Sequence, residues 1–317
     1  MRLDVIVNTR ARRVLARPSI LGEVTARVRG HGEVFPTGDL GALTEAARAI
    51  AARGSDLVVL AGGDGSFMAG VTALAHAFGD RPLPRIALLP GGTVATVARN
   101  FGVRGELVPL LGRLIDARHA LVTRRRPTLR ALATTGSARE ERIGFIFGTG
   151  LVAKFFEVYY EAGAQGYAGA AKIVARVFAE SFYGGAYARR VLDPLPCSIE
   201  VDGRLLAPRS FSLVCCAVVR DLGIHMLVNH RAAEDPLRPH LVASPLPAHS
   251  LGPRAPLVLA GRSIGGPGHF DDLVSVFTVR FPRGAGPYVL DGDMLRAERV
   301  TVTAGPVLDV VTFDPAR

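Results

Sequence analysis

The chain has 317 residues but only three cysteines, and they build no framework. Cys215 and Cys216 lie together in an apolar run, Cys197 stands alone, and no CxxC pair occurs. That pattern excludes a disulfide scaffold and fits a reducing compartment. Lysine is almost missing: Lys154 and Lys172 are the only two, so arginine carries the net charge of +10. No apolar run approaches the roughly 20 residues needed to span a bilayer. The N-terminus lacks the charged-then-apolar pattern of a secretory signal. The expectation is a cytoplasmic protein, at most peripheral at the inner face of a membrane. Also missing are a Walker lysine, GxGxxG, GxSxG and HExxH, and internal repeats. The eight histidines are scattered, with His225 and His230 five apart, and are not read as metal ligands.

A basic surface favours anionic partners such as nucleotides or acidic lipid headgroups. The arginines are dispersed, apart from Arg10-Arg12-Arg13 and Arg124-Arg125-Arg126. Without aromatic-and-basic interleaving or zinc-finger spacing, no nucleic-acid partner is expected.

What the chain does have is a strand–helix alternation over its first 120 residues. Short apolar runs at 3–7, 34–35, 57–60 and 86–89 read as strands. Between them, Leu40, Leu43, Ala47 and Ile50 repeat at helical spacing behind Asp39, a suitable N-cap. Met68, Val71, Leu74, Ala75 and Phe78 form a second such face, and Val94, Val97, Ala98 and Phe101 a third. Short-loop β–α alternation predicts a doubly wound parallel sheet. After about residue 125 the pattern changes. Strand-like runs at 143–147, 198–201, 211–219, 257–260, 274–281 and 300–302 dominate, with Asp202-Gly203 as a hairpin signal. One helical stretch, 167–182, interrupts them, and 236–256 reads as a long proline-rich loop. The expected fold is α/β: a parallel-sheet nucleotide domain over 1–125, then a β-rich sandwich or barrel over 126–302. Residues 303–317 are expected to return to the first domain.

Two turns carry the chemistry. Gly62-Gly63-Asp64-Gly65-Ser66 lies between a buried strand and an amphipathic helix; three glycines permit positive φ and close approach to a ligand. The amides of the following helix start attract phosphate, and Ser66 adds a hydroxyl. Asp64 repels phosphate, so it makes sense as a magnesium-organising or substrate-orienting carboxylate. Pro90-Gly91-Gly92-Thr93 repeats the arrangement after the next strand. Ligands bind at the carboxyl ends of strands in open α/β sheets, so the two turns predict one crevice.

GGDGS followed by PGGTVATVARNFGV resembles the diacylglycerol kinase catalytic-domain family, which includes bacterial lipid kinases and sphingosine kinases. The resemblance implies an ATP-dependent lipid kinase with Mg²⁺ that phosphorylates a hydroxyl of a diacylglycerol- or sphingoid-type lipid. It implies an α/β nucleotide domain and a β-rich lipid domain. It places Asn8, Thr37, Gly62, Gly63, Asp64, Gly65, Ser66, Gly92 and Thr93 at the nucleotide. It makes Asp291, in Asp291-Gly292-Asp293, the general base, with Asp64 also catalytic. Asp293 and Asp235 stand where the family holds metal. Peripheral contact with an anionic membrane is expected, and a homodimer is left open. The chain departs from the family at Asn8-Thr9-Arg10-Ala11-Arg12, at Ala95-Thr96 and at Pro236. Two alternatives stand beside this one: an NAD kinase-like enzyme, and a nucleotide- or lipid-binding protein that has lost catalysis.

Overall fold

The computed structural model describes residues 1–92, 95–117, 121–163 and 166–312. The chain divides into two compact units: Met1–Arg126 with Pro306–Arg317, and Pro127–Gly305.

The first unit runs β1 (Leu3–Asn8), α1 (Arg12–Ala16), α2 (Ser19–Val28), β2 (Val34–Thr37), α3 (Leu40–Arg53), β3 (Leu57–Gly62), α4 (Asp64–Phe78), β4 (Arg85–Pro90), α5 (Thr96–Asn100), α6 (Leu107–Asp116) and β5 (Thr123–Arg126). Its sheet has the order β2-β1-β3-β4, then the closing strand Leu308–Val311, then β5. The first four strands are parallel; β5 alone runs antiparallel, against the closing strand. Every residue of β3 is buried, as a central strand covered on both faces requires. Asp39 caps α3 by accepting from the Ala42 amide at 2.8 Å, and Gly54 ends that helix at positive φ. The order reverses at β1, with β2 on one side and β3 on the other. That reversal opens a crevice at the strands' carboxyl ends.

The second unit begins with β6 (Leu129–Thr135), β7 (Ala138–Gly144) and β8 (Ile146–Gly150). Helices α7 (Leu151–Glu161), α8 (Gly166–Ser181) and α9 (Ala186–Leu192) follow. Next come β9 (Leu195–Pro196), β10 (Ser198–Val201), β11 (Arg204–Leu205), β12 (Ser210–Phe211), β13 (Leu213–Ala217) and β14 (His240–Ser244). After α10 (Ala248–Leu251) and α11 (Ala255–Leu259) the strands resume with β15 (Phe270–Leu273), β16 (Val276–Arg280), β17 (Gly286–Leu290), β18 (Asp293–Ala297) and β19 (Arg299–Ala304). Two six-stranded antiparallel sheets result, ordered β11-β10-β16-β19-β6-β7 and β15-β14-β13-β8-β17-β18. They meet through aromatic side chains: Phe147 of one sheet sits edge-on to Phe277 of the other, with centroids 5.5 Å apart, and stacks on Tyr288. Helices α7 to α9 lay Val158, Ile173, Val177, Val191 and Leu192 over Leu213, Cys215 and Val242 of the second sheet.

Several local expectations change. The run at 257–260 is helical, not extended: Pro256 in the first turn of α11 presets a helical φ, and a short apolar run has no period of its own. The run at 143–147 breaks at Phe145 between β7 and β8. The stretch 236–256 holds β14 and α10. The helical segment at 167–182 is joined by α7 and α9, whose aromatic and arginine content hides their period.

Phe147 is fully buried at the contact of the two sheets. Phe147→Ala is expected to cost about 3–5 kcal/mol by urea denaturation. A loss under about 1 kcal/mol would show that these rings do not hold the sandwich together.

Candidate active site

In the first unit, the predicted nucleotide residues gather at the carboxyl ends of β1, β2, β3 and β4. Asn8 ends β1, Thr37 ends β2, Gly62 ends β3 and Pro90 ends β4. Asn8 crosses the crevice: its Nδ2 donates to Ser66 Oγ at 2.7 Å, while its Oδ1 accepts from the Arg10 amide at 2.8 Å. Ser66 Oγ also accepts from the Gly63 amide at 3.3 Å. Thr37 is buried and its hydroxyl donates to the Val7 carbonyl at 3.3 Å, so it fastens β2 to β1. Thr93 lies outside the described residues.

The glycines serve close approach rather than unusual φ. Gly62, Gly63, Gly65, Gly91 and Gly92 do not take positive φ. A Cβ on Gly92 would lie 2.6 Å from Gly63 Cα, and one on Gly62 would lie 2.4 Å from Ser66 Cβ. The amides of Gly91 and Gly92 both donate to the Gly62 carbonyl, at 2.7 and 3.1 Å. The two turns are therefore one interlocked unit. The first-turn amides of α4 rise from it, and helix geometry gives those amides no intrahelical acceptor. Such a helix start is an anion site in kind.

Asp64 is tied to the backbone. Its Oδ2 accepts from the Thr96 amide at 2.8 Å and its Oδ1 from the Val97 amide at 2.9 Å. It thus caps α5, whose own N-cap residue Ala95 has no side-chain acceptor and sits at φ 52°. Burial raises the Asp64 carboxyl above its ordinary range, while the amides of Val97 and Thr96 pull the other way. Both Asp64 oxygens are thus held by amides of α5.

In the second unit, Asp291 and Gly292 form the two-residue turn joining β17 to β18, both at positive φ. Asp291 is buried, and its oxygens accept from the amides of Phe145 and Ile146, each at 2.9 Å. Gly144 leaves room for it: a Cβ there would come within 2.6 Å of Asp291 Oδ2. Asp293, the first residue of β18, is exposed. Partial desolvation raises its carboxyl, and the charge of Arg142 opposes that shift. Tyr160 on α7 donates from its hydroxyl to the Gly292 carbonyl at 3.0 Å; burial and the charge of Asp293 raise its phenol. Tyr160 and Arg142 were missed by sequence reasoning. Nothing in the spacing of α7 or β7 points to a turn more than 130 residues away. Asp235 stands apart, its Oδ1 accepting from the Leu237 amide at 2.8 Å in a tight local turn. Among the described residues it joins no group of metal-ligand atoms.

Comparison with known proteins shows what the chain is similar to. Residues 2–123 match the diacylglycerol kinase catalytic domain. The fold extends the likeness over the whole chain. A candidate diacylglycerol kinase from Bacillus anthracis superimposes with a TM-score of 0.63 at 14% identity, over 98% of this chain and 97% of that one. Another diacylglycerol kinase structure from that organism gives 0.59 at 15%, over 95% and 93%. Yeast NADH kinase complexed with NADH gives 0.53 at 11%, over 99% and 84%. No curated protein matches by sequence. The match to the diacylglycerol kinase catalytic domain thus lies within the first unit, and the likeness beyond it is one of fold.

Asp64→Asn keeps one acceptor and turns an amide NH₂ toward a backbone N–H. The expected cost is about 1–3 kcal/mol in urea unfolding, from one buried donor left unpaired. A variant as stable as the parent would remove Asp64 from its capping role.

Proposed function

We propose that the chain is an ATP-dependent lipid kinase that phosphorylates a hydroxyl of a diacylglycerol- or sphingoid-type lipid. The observation carrying this is the interlocked pair of glycine turns at the β1–β3 switch point, under the start of α4. Gly62, Gly63, Ser66 and Gly92, with Asn8 across the crevice, would seat the nucleotide phosphates against backbone amides. Phosphoryl transfer asks mainly for positioning and charge stabilisation, which fixed amides supply.

Asp291 is proposed as the base for the lipid hydroxyl. The two amides hold its carboxylate in one orientation. A hard cation needs oxygen ligands and commonly takes one or two carboxylates with substrate phosphates. Asp293, exposed on β18, fits that requirement, whereas Asp64 and Asp291 are engaged by amides. When bound there, Mg²⁺ would neutralise phosphate charge.

The lipid class rests on the second unit's apolar character. Phe182 and Tyr183, just past the end of α8, are 60% and 74% exposed. Adjacent exposed aromatic rings suit a membrane boundary, where one end is apolar and the other wet. No described helix is long and apolar enough to cross a membrane, so contact would be peripheral.

The test uses γ-labelled ATP with separate pools of diacylglycerols, sphingoid bases and NAD. Label on a lipid is expected. Label on NAD alone would assign the activity of the NAD kinase-like alternative, and ATP binding without turnover would leave a binding protein. Asp291→Asn is expected to lower lipid phosphorylation at least about 100-fold with ATP affinity unchanged. Full turnover in that variant would exclude Asp291 as the base. Gly92→Ala forces the two turns apart and is expected to weaken ATP binding at least about tenfold, measured by calorimetry.

A further inference from the structure

The second unit holds a histidine cluster that the kinase reading does not use. His240 opens β14 and is fully buried. Asp271 lies on the neighbouring strand β15, opposite Val242, so it meets His240 diagonally on one face of the sheet. His240 Nε2 contacts Asp271 Oδ1 at 2.7 Å. His230 comes from the loop before β14 and stands edge-on to His240, ring centroids 5.0 Å apart and planes at 81°. His269 approaches the other oxygen of Asp271 at 3.4 Å.

The loop is placed with care. Asn229, fully buried, donates from Nδ2 to the carbonyls of His240 and Cys215 at 2.6 and 3.3 Å. Arg231 reaches Asp272 at 2.7 Å. His230, between these two anchors, is held against β14 rather than left to solvent.

The cluster lacks a partner. Among the described residues, the Nδ1 atoms of His230, His240 and His269 are all buried with nothing bonded to them. Buried polar atoms without partners cost about 1–3 kcal/mol each.

We propose that His230, His240 and Asp271 bind a divalent transition-metal ion of the zinc class. One ligand atom from each falls within 4.8 Å of the others. Ligands at about 2.0–2.1 Å in a tetrahedron stand about 3.3 Å apart, so the set must close by no more than about 1.5 Å. Imidazole nitrogens select zinc, copper, iron or nickel over magnesium or calcium. The site is therefore separate in chemistry from any Mg²⁺ used with ATP. It would join the 229–240 loop, β14 and β15, a staple on the edge of the second sheet. The sequence offers no HExxH or CxxC spacing for it, because its ligands come from a loop and two strands.

The experiment uses the tag-free full chain, stripped with a chelator and titrated with Zn²⁺ against a chromophoric competitor. One Zn²⁺ per chain is expected, with a rise in Tm on loading and no displacement by millimolar Mg²⁺. Co²⁺ in its place should give the visible absorption of a four-coordinate N/O site. His230→Gln, on the half-buried loop, is expected to keep the Tm of the stripped parent while losing at least about 100-fold in Zn²⁺ affinity and all of the Tm rise. Asp271→Asn should weaken binding likewise. Failure of the stripped parent to take up stoichiometric Zn²⁺ would overturn the proposal. So would uptake that survives both substitutions unchanged.

Discussion

An aspartate carboxylate closing on two successive backbone amides is the interaction on which both units depend. Asp64 does this to Thr96 and Val97, and Asp291 to Phe145 and Ile146. Asp202 does the same to Ser275 and Val276, with Oδ1 at 3.1 and 2.9 Å. In each case the amides belong to a place where the chain cannot satisfy them by regular pairing: a helix start without its own cap, or a break between strands. Hydrogen bonds to an ionised acceptor are roughly twice as strong as neutral ones. One side chain thus fixes a segment distant in sequence, and in the first unit the segment fixed is the one after the second glycine turn.

This device explains what was legible in the sequence and what was not. The parallel sheet, α3, α4 and the two glycine turns were legible because their signals are local: period, cap and breaker. The reason for the glycines was not. The sequence suggested positive φ, whereas the structure shows two backbones in contact at Gly62–Gly63 and Gly91–Gly92. Contact between turns more than 25 residues apart leaves no mark on either one. The same holds for Asp64, whose partners Thr96 and Val97 lie on the far side of β4. The second unit was legible as β-rich, yet its strand limits shifted wherever a long-range contact intervened, as at Phe145.

Asp202-Gly203 and Asp291-Gly292 are the same dipeptide in the same local structure. Both aspartates take positive φ, 48° and 49°, in two-residue hairpin turns, and both grip a pair of amides. Turn chemistry alone therefore cannot distinguish a structural aspartate from a reactive one. The difference lies in the surroundings. Asp202 is exposed, whereas Asp291 is buried, with Tyr160 bonded to the next residue and Asp293 one further on. A carboxylate, a phenol and a second carboxylate around one turn make a set that can act on a hydroxyl, and a lone capped turn does not.

The same reasoning ranks the acidic residues for metal chemistry. An oxygen bound to an amide is oriented by that bond, and turning it toward a cation loosens the segment it holds. Asp64 and Asp291 would each release two buried N–H groups, at about 1–3 kcal/mol apiece. Asp235 would release the Leu237 amide that shapes its loop. Asp293 grips no such pair of amides; partial desolvation raises its carboxyl and the charge of Arg142 opposes that shift. Which carboxylates organise the backbone follows from which amides the fold leaves without regular partners.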